Sequence, residues 1–256
     1  MKELVNPRRS FLKKASIGFL GALPIAEILL SASKMIDNET TIKLTSADVV
    51  LFQGDSITDA GRKRTDKSTN NPLALGSGYA FLITSHILFN HPQKNVTFYN
   101  RGISGEKVPQ LSARWKEDCT DLKPSVLSIL VGVNDFWHTK TKGYKGTVST
   151  YENDYRLLLE KTMDSYPDLR LIIGEPWYQP GMADSMYKVA YPEFKAYQSV
   201  AKQLAHQFNA PFIPYQSIFD KAQEIAPDIH WSWDGVHPTA AGAHLMANSW
   251  LKAINI

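Results

Sequence analysis

From Asp48 onward the chain alternates short, nearly unbroken apolar runs with longer stretches of helical period. The runs Val49 to Gln53, Val96 to Tyr99, Val126 to Val131, Leu169 to Gly174 and Pro211 to Pro214 have the length and composition of strands. Between them, Tyr79 to Phe89, Tyr151 to Tyr166, Phe194 to Phe208 and finally Pro238 to Lys252 carry the spacing of helices. Strands that alternate with helices of this length predict parallel pairing, because a parallel neighbour is reached only through a crossover. The expected architecture is a three-layer α/β/α sandwich with a five-stranded parallel sheet in flavodoxin-like order.

The first 33 residues stand apart from this pattern. Pro7-Arg8-Arg9-Ser10-Phe11-Leu12-Lys13-Lys14 resembles the twin-arginine export signal, and Ala15 to Ala26 follows it without a charge. That stretch holds two glycines and a proline, and it is shorter than the roughly 20 apolar residues of a spanning helix. Ser31-Ala32-Ser33 offers small residues for cleavage. Residues 1–33 are therefore expected to be an export signal, with the twin-arginine machinery as partner and a periplasmic or extracellular destination. Residues 34–256 are expected to form one domain. An amphipathic N-terminal helix of a cytosolic protein is the alternative, and the sequence leaves open whether the leader is cleaved.

Charge changes the picture in one respect. The whole chain has a formal net charge of +3, and residues 1–33 account for it with five basic residues against two acidic ones. The rest is neutral, so no nucleic-acid partner is expected. Cys119 is the only cysteine, which excludes an intrachain disulfide even in an oxidising compartment. No pair of histidines has metal-ligand spacing, so neither a metal nor a cofactor is expected. Whether subunits assemble into a homo-oligomer is open at this level.

Four segments carry candidate chemistry. In the first, the apolar run ends at Gly54-Asp55-Ser56, which places a hydroxyl just past a buried strand, where ligands bind in an open parallel sheet. In Asn100-Arg101-Gly102-Ile103-Ser104-Gly105, two glycines let the backbone turn sharply and bring an N–H near a substrate oxygen. In Val131-Gly132-Val133-Asn134-Asp135, the asparagine can aim its amide at a developing oxyanion or cap a helix. In Asp234-Gly235-Val236-His237-Pro238, an aspartate three residues before a histidine can accept one imidazole N–H and leave the other ring nitrogen free to take a proton from a serine. Pro238 suits the first turn of the last helix.

Together these segments resemble the SGNH hydrolases, also called the GDSL esterase/lipase family. The resemblance implies Ser56 as nucleophile, His237 as base and Asp234 as the residue that orients it. It also implies an oxyanion hole made by the N–H groups of Ser56 and Gly102 and the side chain of Asn134. An α/β-hydrolase elbow is a poorer match, since no Gly-x-Ser-x-Gly surrounds Ser56 and the acid and base here are neighbours. Ile57 stands where the family name has leucine, a packing position.

Within that family, the stretch from Gly54 to Arg62, Gly102-Ile103-Ser104-Gly105 with Ala113-Arg114-Trp115, and Val133 to Trp137 are similar to bacterial acetylxylan esterases. This likeness implies removal of acetyl groups from xylan or xylo-oligosaccharides. Asp55, Trp137, Trp177 and Trp233 are the candidate substrate-binding residues, the tryptophans because flat rings suit sugar faces. Asp59 and Arg114 are either polar pocket residues or surface ion pairs. The alternatives are a lysophospholipase or thioesterase with a longer acyl groove and a non-catalytic carbohydrate-binding protein on the same scaffold.

Overall fold

The computed structural model describes Glu27, residues 41–182 and residues 185–256. The expected export signal over residues 1–33 lies, Glu27 apart, outside the described residues. Among the described residues there are seven strands: β1 (Ile42–Lys43), β2 (Val49–Gly54), β3 (Thr97–Asn100), β4 (Val126–Leu130), β5 (Arg170–Gly174), β6 (Phe212–Ile213) and β7 (Ile254–Asn255). The five central strands form one sheet in the order β3-β2-β4-β5-β6, and every pair is parallel. That is the flavodoxin-like order expected from the alternation.

The runs are continuous rather than alternating because helices cover both faces of the sheet. All five residues of β4 are buried, as are the last five of β2. The one polar side chain inside β4, Ser128, sits opposite Phe52 and accepts a hydrogen bond from the Trp250 indole at 2.9 Å. Phe52 lies against Trp250 and edge-on to Tyr79, with ring centroids 5.6 and 5.8 Å away. Across the sheet a second aromatic cluster gathers Phe136, Tyr178, Phe194 and Tyr197.

The α-helices within residues 41–256, in chain order, are α1 (Ser56–Asp59), α2 (Pro72–Leu75), α3 (Tyr79–Asn90), α4 (Val108–Ala113), α5 (Trp115–Asp118), α6 (Val133–Thr141), α7 (Val148–Ser165), α8 (Ser185–Gln207), α9 (Tyr215–Ala222), α10 (Asp228–Trp231) and α11 (Ala240–Leu251). Helix α3 packs on α11, and α7 packs on α8 and α4.

Three boundaries differ from expectation. Helix α7 starts before Tyr151 because the Thr147 hydroxyl caps it, accepting the Thr150 N–H. Helix α8 runs back through Pro192 to Ser185, since a proline removes one helical donor without forbidding the turn. Helix α11 begins after Thr239, which caps it, so Pro238 lies just outside the first turn rather than in it. The pairing of β1 with β7, Ile42 opposite Ile254, was not expected and joins segments from the two ends of the domain.

Candidate active site

The site is assembled at the carboxyl ends of β2, β3 and β4, joined by the turn before α11. Strand β2 ends in Gly54, whose φ of +154° and crowding leave no room for a side chain: a Cβ would meet the Leu130 carbonyl oxygen at 2.2 Å. The chain turns there and starts α1 at Ser56. Asp55 caps that turn, its carboxylate accepting the Ile57 N–H at 3.0 Å. Asp55 is only 1 % exposed, and burial pushes its pKa up to about 7. It is a buried cap and does not line the cleft, which corrects its placement among the substrate-binding residues.

Ser56, half-buried, meets the imidazole that approaches from the C-terminal turn. Its Oγ lies 2.7 Å from His237 Nε2, and His237 Nδ1 lies 2.6 Å from Asp234 Oδ2. The second carboxylate oxygen of Asp234 accepts the N–H groups of Val236 and His237 at 2.9 and 2.7 Å. Ser232 closes the turn: its hydroxyl donates to the His237 carbonyl and accepts the Gly235 N–H, both at 2.9 Å. The Gln179 N–H donates to the Gly235 carbonyl at 2.7 Å and ties the turn to the segment after β5.

These bonds set the protonation preferences. The hydrogen bond to Asp234 raises the His237 pKa, outweighing burial, which lowers it. Burial raises that of Asp234, but the hydrogen bonds from His237 and the two backbone N–H groups prevail and leave it below the usual carboxylate value. An ionised Asp234 accepting from Nδ1–H leaves the Nε2 lone pair facing the serine hydroxyl, the geometry of a base poised on a nucleophile.

The three expected oxyanion donors differ in what they are already bonded to. The Ser56 N–H opens helix α1 and has no intrahelical acceptor. Asn134 is not the cap of α6, a position held by Gly132. Its buried Nδ2 donates to the Glu106 carbonyl at 3.2 Å and keeps a second hydrogen available.

The Gly102 N–H, in contrast, already donates to Asn100 Oδ1 at 2.9 Å, and the Gly102 carbonyl accepts from Arg62 Nε at 2.8 Å. Gly102 is a close-packing position: a Cβ would come within 2.4 Å of the Asp59 nitrogen. The other glycine of that turn, Gly105, has an N–H with no partner among the described residues and adjoins Glu106, which Asn134 contacts. Of the two glycines, Gly105 has the freer N–H, and the only sequence signal for it was the second glycine of the same turn.

A cleft of about 1010 Å³ opens in front of Ser56 and His237. Beyond these two, its walls include Tyr79, Arg62, Arg64 and Ser104, which the sequence reading did not single out. Asp59 also lines the cleft, and its Oδ2 accepts from Arg64 Nε and the Ser104 N–H, each at 2.9 Å. Arg114 pairs instead with Glu106 and Asp118 and stays out of the cleft.

Of the three candidate tryptophans, only Trp233 lines the cleft. It is 60 % exposed and stacks on the His237 ring, 5.2 Å between centroids and 15° between planes. Trp177 is corrected to a core residue, fully buried and stacked on Phe219 at 3.7 Å. Trp137 is half-buried against Tyr178 and lies away from the cleft. Among the described residues no group of three His, Cys, Asp or Glu side chains has the arrangement to hold a metal ion, and no helix is long and apolar enough to cross a membrane.

Comparison with known proteins gives a consistent result. The sequence profile of the GDSL-like Lipase/Acylhydrolase family matches residues 52–245. The acetylxylan esterase of Geobacillus stearothermophilus is 31 % identical over 215 residues, which are 83 % of this chain and 96 % of that one. The crystal structure of that enzyme, Axe2, superposes with a TM-score of 0.73 at 30 % identity, covering 83 % of this chain and 96 % of its own. A crystal structure from Parabacteroides merdae, assigned as a GDSL-like lipase, superposes with a TM-score of 0.80 at 47 % identity, covering 83 % and 98 % of the two chains.

Proposed function

We propose that this chain, which belongs to the GDSL-like lipase/acylhydrolase family and is a carboxylic ester hydrolase, removes acetyl groups from acetylated oligosaccharides through an acyl-enzyme on Ser56. The observation that carries the proposal is the continuous hydrogen-bonded chain from Asp234 through His237 to Ser56, at 2.6 and 2.7 Å, opening into a cleft beside an exposed indole.

In the reaction, Ser56 Oγ attacks the ester carbonyl carbon as His237 Nε2 takes its proton. The oxyanion is held by the N–H groups of Ser56 and Gly105 and the amide of Asn134. The C–O bond to the sugar then breaks, and His237 returns its proton to the leaving alkoxide. Water repeats the sequence: His237 accepts its proton, the hydroxide adds to the acyl carbon, and acetate leaves as the proton returns to Ser56. Asp234 keeps Nδ1 protonated and stabilises the imidazolium formed in each half-reaction.

The carbohydrate assignment is supported by the exposed Trp233 face next to the catalytic imidazole, by the polar groups of Arg64, Thr65 and Ser77 along the cleft, and by the acetylxylan esterase relative. The size of the cleft favours a second reading. At about 1010 Å³, with Ile57, Ala60 and Ala243 in its wall, it has room for a longer acyl chain, as a lysophospholipase or thioesterase requires.

Acetate release from acetylated xylo-oligosaccharides, run beside p-nitrophenyl acetate and octanoate with Ser56→Ala as blank, separates the two. Sugar deacetylation without octanoate turnover supports the first reading. Octanoate turnover with an inert sugar overturns it in favour of the second. The proposal extends to place: residues 1–33 direct the folded domain through twin-arginine export to the periplasm or beyond. Fractionation of cells carrying an Arg8→Lys/Arg9→Lys leader tests this, with retention in the cytoplasm as the expected result and unchanged export as the contrary one.

A further inference from the structure

The segment Gly105 to Val108 is joined to helix α6 by three successive contacts. Asn134 Nδ2 donates to the Glu106 carbonyl at 3.2 Å, Lys107 Nζ lies 3.2 Å from His138 Nδ1, and the Val108 N–H donates to Asp135 Oδ1 at 3.1 Å. Asn134 and His138 are one helical turn apart and so share a face of α6. Lys107, Asn134, Asp135 and His138 are all buried, and Lys107 is only 7 % exposed. The two elements enter the site from different crossovers, one after β3 and the other after β4. Two converging donors require their separation to be held to a fraction of an ångström, so the contacts between the two elements have to set it.

We infer that Lys107 is a positioning residue of the oxyanion hole: through its hydrogen bond to His138 it holds the Gly105 to Val108 segment against α6, so that the Gly105 N–H and the Asn134 amide converge on one oxygen. The inference rests on the oxyanion-hole reading above. A lysine placed in so buried a position loses its hydration, and that cost is offset only where its donors are used. Here Nζ has the His138 ring nitrogen as acceptor and the Tyr144 ring face at 4.9 Å. Nδ1 accepts only while His138 is neutral. Burial, reinforced by the charges of Lys142 and Lys107, holds its pKa down to about 4, so the acceptor is present throughout the neutral range. Asp135, the remaining tie, has its Oδ2 buried without a partner and contributes its other oxygen to Val108 alone. Among the described hydrogen bonds, the lysine's is thus the one that runs from a side chain of the segment to α6.

The test is a double-mutant cycle on p-nitrophenyl acetate hydrolysis with wild type, Lys107→Met, Asn134→Ala and the double variant. Thermal unfolding of each is recorded alongside. Methionine keeps the length of the buried stem and removes the donor. Asn134→Ala is expected to lower kcat by roughly 10²-fold to 10³-fold, the usual cost of one oxyanion donor. Lys107→Met is expected to lower kcat about tenfold, with KM changed less than about twofold, as for misplacement of a group that acts only in the transition state. In the Asn134→Ala background the lysine substitution should cost clearly less than in the wild type, because one of the two donors it brings together is gone and only the Gly105 N–H is left to misplace. A purely structural lysine would instead give losses that multiply.

If Lys107→Met does not fold, His138→Leu removes the same bond from the other side and carries the same expectation. An Asn134→Ala enzyme with wild-type kcat overturns the oxyanion assignment and this inference with it. If Asn134→Ala is impaired, full kcat in Lys107→Met, or losses that multiply in the double variant, overturns the inference alone.

Discussion

Replacing Asp234 by asparagine isolates what the carboxylate does for His237. The asparagine Oδ1 can still accept the N–H groups of Val236 and His237, which Asp234 Oδ1 now holds at 2.9 and 2.7 Å, so the turn keeps its shape. The change falls on the other oxygen. An amide nitrogen placed 2.6 Å from His237 Nδ1 presents a hydrogen, so Nδ1 must accept, and the imidazole proton moves to Nε2. There it faces Ser56 Oγ across 2.7 Å, and the base has no lone pair to offer the nucleophile.

In serine triads the wrong tautomer costs about 10⁴ in kcat, and at about 1.36 kcal/mol per tenfold that is roughly 5.4 kcal/mol of transition-state stabilisation. The pH profile carries a second signature. The hydrogen bond to Asp234 raises the His237 pKa, and the base works only when deprotonated. Wild-type kcat/KM should therefore rise with pH through a midpoint above the ordinary imidazole value of 6.5. In Asp234→Asn that midpoint should move to lower pH. Steady-state hydrolysis of p-nitrophenyl acetate from pH 5 to 9 reads both quantities. A variant with kcat within tenfold of wild type and an unmoved acid limb would refute the role given to Asp234.

Other expectations concern residues around the triad and in the core. Gly102→Ala drives a methyl to 2.4 Å from the Asp59 nitrogen and should destabilise the fold by about 1–3 kcal/mol, read as a lower thermal midpoint; an unchanged midpoint would show that the turn has slack. Trp250→Phe leaves Ser128 without its donor in the central strand and should cost about 1–3 kcal/mol in urea unfolding. Adding Ser128→Ala should recover part of that loss, and no recovery would mean that shape rather than the hydrogen bond was lost. Trp233→Ala should raise KM for acetylated xylo-oligosaccharides about twofold to twelvefold, from roughly 0.5–1.5 kcal/mol for one aromatic contact, with little change on p-nitrophenyl acetate. Equal losses on both substrates would assign the indole to the catalytic imidazole instead of the sugar.

The sheet was legible because its inner strands β2, β4 and β5 are buried on both faces and so appear as apolar runs, with Gly54 and Gly132 marking where β2 and the segment after β4 turn into the site. The pairing of β1 with β7 was not, since two-residue strands carry no period and their partners lie at opposite ends of the domain. Ser56, Asn134, Asp234 and His237 stood out because each lies at a strand end or in a turn whose chemistry is local. Gly102 and Gly105 could not be told apart on that basis, as the difference between them is one hydrogen bond, donated by the Gly102 N–H to Asn100 Oδ1. The tryptophans failed for a related reason. Trp177 follows β5 as Trp233 precedes Asp234, but its ring turns inward onto Phe219, a choice made by packing with α9 that no local pattern records.

The hydrogen bonds at the site divide into two sets with different tasks. The bonds of Ser232, Gln179 and the Asp234 Oδ1 atom fix the turn that carries His237. The bond of Asp55 to the Ile57 N–H and the crowding at Gly54 fix the serine. The short contacts between serine, histidine and aspartate then follow from two rigid mounts, which makes the nucleophile the point on which the account depends. Rapid-quench intact-mass and peptide analysis during p-nitrophenyl acetate turnover tests it most directly. The account predicts one acetyl group on Ser56 in the wild type and none in Ser56→Ala, which should also lose nearly all turnover. Turnover without acetylation at Ser56, or a Ser56→Ala enzyme that keeps most of its activity, would contradict it.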